Sequence, residues 1–459
     1  MLGFLAGKAS SIVQNPAIDY KKFALGASWA IFGLESYILT RQLPCYSIPA
    51  PPAALADHIP EDTYKKSQAY GRDKTRWALF KQVYNQTLNA LYIGGGAYKW
   101  VWTLTGGWMA KMGFGGDRVI THSLLYAGFF TIVSSIPSLP LSAFATFGIE
   151  EKHGFNKSTW GLWITDQLKS YAIGAVIGLP VLAAFLKIVD YAGDWFIPAL
   201  MIFFLSFTFI MQLVYPIFIQ PLFNKLTPLP EGELRERIEK LAGSLGFPLK
   251  HLYVIDGSKR SGHSNAYFYG LPWSKHIVIF DTLIEQSKPE EVEAVIAHEL
   301  GHWKHAHPSK LMVVGQINLL ITLSAFTLFI HNPAIFRSFG FSEDVAVRQQ
   351  PVIIGFFLYQ LIMNPLDPLI SLLMNSVTRR YEYEADRFAC ALDPRYKALL
   401  SSSLIKLMNE NLSSPHQDWL YSTYHNSHPS LLERLKAMDD YQPSEKLVVK
   451  DEIKREKDL

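Results

Sequence analysis

Cysteine is nearly absent. Cys45 and Cys390 are the only two in 459 residues, which excludes a disulfide-stapled scaffold. Charge is scarce as well: 18% of residues are Asp, Glu, Lys or Arg, against about 25% in soluble domains. The net charge is only +3 and no basic run stands out, so no nucleic-acid partner is expected. There is no internal repeat, no low-complexity tract and no cleavable signal pattern, so the first apolar block reads as a retained span. What is abundant is apolar surface. Hydrophobic residues make up 49%, aromatics 14%, and the mean hydropathy is +0.10. That excludes a disordered chain, and the apolar residues fall in long blocks with the charges between them, the pattern of an integral membrane protein.

Seven stretches are candidates for crossing the bilayer: 23–39, 88–108, 120–147, 171–189, 195–220, 311–330 and 352–373. The stretch 195–220 is the clearest. The second is diluted by Gly94, Gly95, Gly96 and Lys99, and the third is interrupted by Pro137 and Pro140. Glu35, Lys99, Asp367 and the break at Asn364-Pro365 hint at a polar interior, because ionisable groups in a span are costly unless they face protein or water. With an odd number of spans and a lumenal N-terminus, the basic segments at 65–81, 222–310 and after 376 all fall on the cytosolic side, as the positive-inside rule requires. Lys8, Lys21 and Lys22 pull weakly the other way. The expected organisation is therefore spans one to five in 1–221, a cytosolic segment at 222–310, spans six and seven in 311–375, and a second cytosolic segment at 376–459. The fold class is mainly α and polytopic, with strands predicted at 251–256 and 276–280 giving the cytosolic part a small sheet.

The chemistry sits in the first cytosolic segment. Ser287 and Glu290 read as a capping box, with Pro289 in the first turn, and Val292, Val295 and Ile296 recur at helical spacing. On this helix stands His298-Glu299-Leu300-Gly301-His302. Residues four apart share a face, so both imidazoles reach one Zn²⁺, and Glu299 beside them serves as general base for the metal's water. A catalytic zinc takes three protein ligands and keeps one position open. His305 is a poor third ligand, since one unbroken helix cannot wrap three such histidines around one ion. Following the last span, Glu382 and Asp386 stand four apart on another predicted helix, Glu382 as third ligand and Asp386 as hydrogen-bond acceptor for a ligand imidazole. Glu384 points elsewhere. The same carboxylates beside Arg379, Arg380 and Arg387 also fit a solvated charged face, and spacing leaves that choice open.

HELGHWKHAH (298–307), YEYEADRFA (381–389), SGHSNAYFYG (261–270) and SHPSLLERL (427–435) together resemble the type I CAAX prenyl proteases, the a-factor-converting, prelamin A-processing membrane zinc metalloproteases. The resemblance runs over nearly the whole chain. It implies seven helices enclosing a water-filled chamber capped by the zinc domain. It also implies one Zn²⁺ per chain held by His298, His302 and Glu382, with Glu299 as general base. His428 would donate to the oxyanion, Arg434 would support that pocket or the substrate carboxylate, and Asn265 and Ala266 would open an edge strand that pairs with substrate. On pattern alone, His428 and Arg434 equally belong to an ordinary amphipathic helix start, and Asn265 to a turn. The implied activity is removal of the last three residues of prenylated CaaX proteins, with a second upstream cut in some substrates. The implied setting is the endoplasmic reticulum membrane and the inner nuclear membrane, as a monomer in the lipid bilayer with a cytosolic C-terminus. Arg455 and Lys457 resemble a dilysine-type retrieval signal. The rival readings are a membrane quality-control zinc protease, and a transporter or scaffold with structural zinc.

Overall fold

A computed structural model describes residues 13–441, Pro16 and Gly116 excepted; Lys8, Arg455 and Lys457 lie outside the described residues. Among the described residues, six helical segments are long and apolar enough to cross a membrane: Tyr20–Ser47, Val119–Glu150, Trp160–Tyr191, Gly193–Phe223, His307–Phe326 and Val352–Leu392. A rise of 1.5 Å per residue means about 20 residues cover a ~30 Å hydrocarbon core, and each segment has at least 20. The protein is a multi-pass membrane protein.

The second stretch expected from the sequence, 88–108, is divided between two helices, Glu61–Gly94 and Ala97–Lys111. Gly96 between them has φ 71°, a left-handed conformation that glycine adopts without steric cost. The break leaves a 15-residue second piece, about 22 Å long at helical rise, which is shorter than the hydrocarbon core. Proline acts similarly at the third span. Pro137 lies in a 3-10 turn, Ile136–Ser138, that follows the helix Val119–Ser135, because its ring removes a backbone donor.

The chain divides into two compact units. The first holds 73–223 and 311–371 together with the chain up to Arg41. Within it the polar span residues have partners: Gln82 donates to Glu35 at 3.1 Å, and Gln86 donates to Ser28 at 3.0 Å. A cavity of about 820 Å³ opens among these helices, and Thr131, Ser170, Asn318 and Gln360 line it beside apolar side chains. Polar groups at membrane depth there face a cavity, the setting in which they are tolerated.

The second unit gathers 42–72, 224–310 and the chain from Leu372. Its elements are β1 (Leu226–Pro228), α1 (Glu233–Leu245), β2 (Leu249–Ile255), β3 (Ala266–Leu271), β4 (Ser274–Phe280) and α2 (Pro289–Lys304). They continue with the C-terminal part of α3 (Asp367–Leu392), then α4 (Pro394–Glu410), α5 (Trp419–His425) and α6 (Leu431–Asp439). The sheet order is β1-β2-β4-β3, with β2 and β4 parallel and the other pairs antiparallel, so β3 is an edge. Ile277 and Ile279 of β4 alternate towards one face and are buried with Val292, Ile296 and Leu300 of α2. The cap of α2 falls one residue later than the S-x-x-E pattern suggests. Pro289 is the first helical residue and holds Lys288 extended, so Glu291, not Glu290, accepts from the Lys288 backbone N–H at 2.9 Å.

Candidate metal centre

His298 and His302 leave the same face of α2, their ring centroids 4.8 Å apart. Gly301 on that helix lets α3 approach closely: a Cβ there would sit 3.0 Å from the Cα of Ala385. The approach brings Glu382 to the two imidazoles. Nε2 of His298 and Nε2 of His302 are 3.2 Å apart, and the Glu382 carboxylate oxygens lie 3.4 Å from the first and 3.3 Å from the second. Ligands at ~2.0–2.1 Å around tetrahedral Zn²⁺ have edges of about 3.3–3.4 Å, so the triangle fits one face of that polyhedron. Glu382 Oε2 is also buried with no hydrogen-bond partner, a costly state for an anionic oxygen unless a cation satisfies it. The three side chains fit a metal ion with a fourth position left open. Glu384 lies outside the triangle.

Around it stands a second layer. His298 Nδ1 is 2.8 Å from Asp386 Oδ1, and Arg434 forks onto Asp386 through Nη2 at 2.6 Å and Nε at 2.8 Å. Burial alone would lower the His298 pKa, but the carboxylates of Asp386 and Glu382 beside the ring reverse this and raise it to about 9. The negative potential that holds a proton there is the potential that holds a cation. Arg434 is buried, and its guanidinium is engaged with Asp386, with Nη1 3.6 Å from Glu382. It also lines a pocket together with His428 and Ser430.

Glu299 follows His298 on α2 and is half-buried. Burial raises its carboxyl pKa, partly offset by His298 and His302, which suits a group that takes and returns a proton. His428 reaches the triangle from the loop before α6, its Nε2 3.4 Å from Glu382 Oε1 and its side chain 64% exposed. Ser430 caps α6 in a box with Glu433, so the ordinary helix start is real; the same Glu433 accepts both bonds from Arg379 of α3 at 2.9 Å. Arg379 also donates to the His428 carbonyl at 3.2 Å. The helix start and the site are thus one construction, with Arg379 holding His428 and Arg434 against α3.

Asn265 and Ala266 stand where β3 begins. The Asn265 carbonyl accepts from Phe280 on β4, and among the described residues no strand lies beside the far side of β3. The loop before them is pinned: His263 Nδ1 lies 2.9 Å from Asn411 Oδ1, and Thr282 donates to the His263 carbonyl at 3.1 Å. Sequence reasoning missed His307, which the structure places 2.9 Å from His302. Five residues along a helix do not share a face. The chain turns at Ala306, with φ 53°, between α2 and the next helix, and that turn folds His307 back.

Residues 42–225 match the family described as CAAX prenyl protease N-terminal, five membrane helices, and residues 228–442 match peptidase family M48. The chain belongs to peptidase family M48. As an M48 peptidase it is a membrane metalloprotease, and the relatives below cover more than nine-tenths of it. It is 40% identical to a CAAX prenyl protease 1 homolog of Arabidopsis thaliana, over 92% of this chain and 98% of that one. It is 39% identical to CAAX prenyl protease 1 of Saccharomyces cerevisiae, over 94% and 97%. The crystal structure of S. mikatae Ste24p superposes with a TM-score of 0.87 at 40% identity, covering 93% of this M48 peptidase and all of that chain.

Proposed function

We propose that this protein is a zinc metalloendopeptidase of the endoplasmic reticulum membrane that removes the C-terminal tripeptide from prenylated CaaX proteins, with a second upstream cut in some of them. The observation that carries this reading is the His298–His302–Glu382 triangle, with Glu299 beside it, in a chain whose full-length relatives are named CAAX prenyl proteases. We take the broken stretch 88–108 as a further crossing beside the six long helices, which puts the N-terminus in the lumen and the segments 222–310 and 376–459, with the catalytic machinery, in the cytosol.

His298, His302 and Glu382 would hold one Zn²⁺, which would supply Lewis-acid polarisation of the scissile carbonyl and a water nucleophilic at neutral pH. Glu299 takes the proton of the attacking water on its carboxylate and delivers it to the leaving amine nitrogen. His428 Nε2 donates a hydrogen bond to the carbonyl oxygen as that atom gains charge. The open edge of β3 from Asn265 and Ala266 aligns the substrate backbone by strand addition. The prenyl group partitions into lipid at ~0.8 kcal/mol per buried CH₂, which concentrates substrate at the membrane.

The test is release of the tripeptide from one CaaX peptide, prenylated and unprenylated, by purified zinc-loaded protein. Cleavage that needs both prenyl group and zinc is expected. Equal cleavage of both peptides would point to a quality-control protease, and no cleavage by zinc-bound protein would point to structural zinc.

A further inference from the structure

The two ligand imidazoles have different outer partners. His298 meets a carboxylate directly, Asp386 at 2.8 Å. His302 meets another imidazole. Its Nδ1 is 2.9 Å from Nδ1 of His307, and Nε2 of His307 is 3.1 Å from Glu384 Oε2. The other Glu384 oxygen accepts from Arg380 Nε at 3.0 Å. Hydrogen-bond chemistry gives this row a direction. The Nε2 of His302 faces the ligand triangle and carries no proton when it binds metal, so the proton of the neutral ring is on Nδ1. His307 Nδ1 then has to accept it, which puts the His307 proton on Nε2, aimed at the Glu384 carboxylate. Any other arrangement sets two donors or two lone pairs against each other.

His307 is held in this role. Its side chain is 2% exposed, and its ring lies flat on Tyr381 with centroids 4.1 Å apart and planes at 5°. Neither the ring nor Glu384 belongs to the ligand triangle, and neither faces the open metal position.

We infer that His307 and Glu384 are positioning residues of the metal centre: the row His302–His307–Glu384 fixes the tautomer and orientation of His302 and strengthens it as a ligand. This rests on the metal-protease reading above. Outer partners of this kind typically change metal affinity by about 10–100-fold when removed.

Two substitutions separate positioning from packing. His307→Phe keeps a ring over Tyr381 and removes the acceptor. His307→Asn places a carbonyl oxygen near the position of Nδ1 and removes the ring. In the full-length protein, zinc affinity by chelator competition, the visible spectrum of the Co²⁺-substituted form and the unfolding temperature are measured for both, and for Glu384→Gln. The expected result is that His307→Phe loses about 10–100-fold in zinc affinity and shifts the cobalt bands at an unchanged unfolding temperature. His307→Asn recovers most of the affinity, and Glu384→Gln falls between them. Parent-like zinc affinity in His307→Phe would overturn the inference, as would losses in both His307 variants that simply track unfolding temperature. A parent protein that binds no metal would overturn the metal-protease reading itself, and this inference with it.

Discussion

The two units use apolar residues in opposite ways. On the spans of the first unit, Val176 is 74% and Ile202 is 66% exposed. In the second unit, Val292, Ala294, Ile296 and Ala297 of α2 are all fully buried. The difference lies in what surrounds these apolar side chains. Lipid solvates the first, whereas the sheet and neighbouring helices of its own unit enclose the second. An exposed leucine-like side chain in lipid loses nothing, because hydrocarbon replaces protein contact. The helix carrying the metal ligands is therefore held by close packing on nearly every side, and the positions of His298 and His302 inherit that rigidity.

This contrast can be broken by paired substitutions. The largest effect is expected from a carboxylate pair. Glu299→Gln should lower kcat by about 10²–10⁴-fold with zinc content unchanged. Its counterpart Glu35→Gln, in the membrane unit, keeps a carbonyl oxygen as acceptor for Gln82 and should stay within a few-fold. Similar losses in both, measured as tripeptide release, would remove Glu299 from the proton-transfer role.

Next come the apolar side chains. Ile296→Ala in α2 should cost about 2–5 kcal/mol, the range for truncating a packed core residue. Ile202→Ala on a lipid-exposed face should stay within about 0.5 kcal/mol. Unfolding in matched detergent measures both, and equal costs would show that Ile202 is packed against protein.

The smallest pair is made of glycines. Gly301→Ala puts a methyl 3.0 Å from the Ala385 Cα and should cost about 1–3 kcal/mol by overpacking, while loosening zinc as α3 moves away. Gly174→Ala has nothing within 4 Å of the added carbon and sits inside a span helix. It should be neutral or stabilising by up to about 1 kcal/mol. Zinc content distinguishes them further, since only the first touches the metal centre.

Much of this protein was legible in its residues before any coordinates. Apolar runs of bilayer length, the short apolar strands at 251–256 and 276–280, and a helix with His298, Glu299 and His302 are local patterns that a stretch of sequence specifies by itself. The family resemblance rests on short motifs for the same reason. Tertiary structure decided everything that depends on two distant segments meeting. Glu382 and Glu384 are two residues apart and leave α3 on different faces, which the sequence already distinguishes; what packing against Gly301 decides is that the Glu382 face meets the imidazoles while Glu384 meets His307. That Arg434 forks onto Asp386 is likewise invisible in the sequence, because 48 residues separate the two. His307 has no helical register with His302 and reaches it through the turn at Ala306. Spacing along the chain specifies which side chains share a face of one helix; which face meets which is specified by packing, where a single missing Cβ outweighs any local preference.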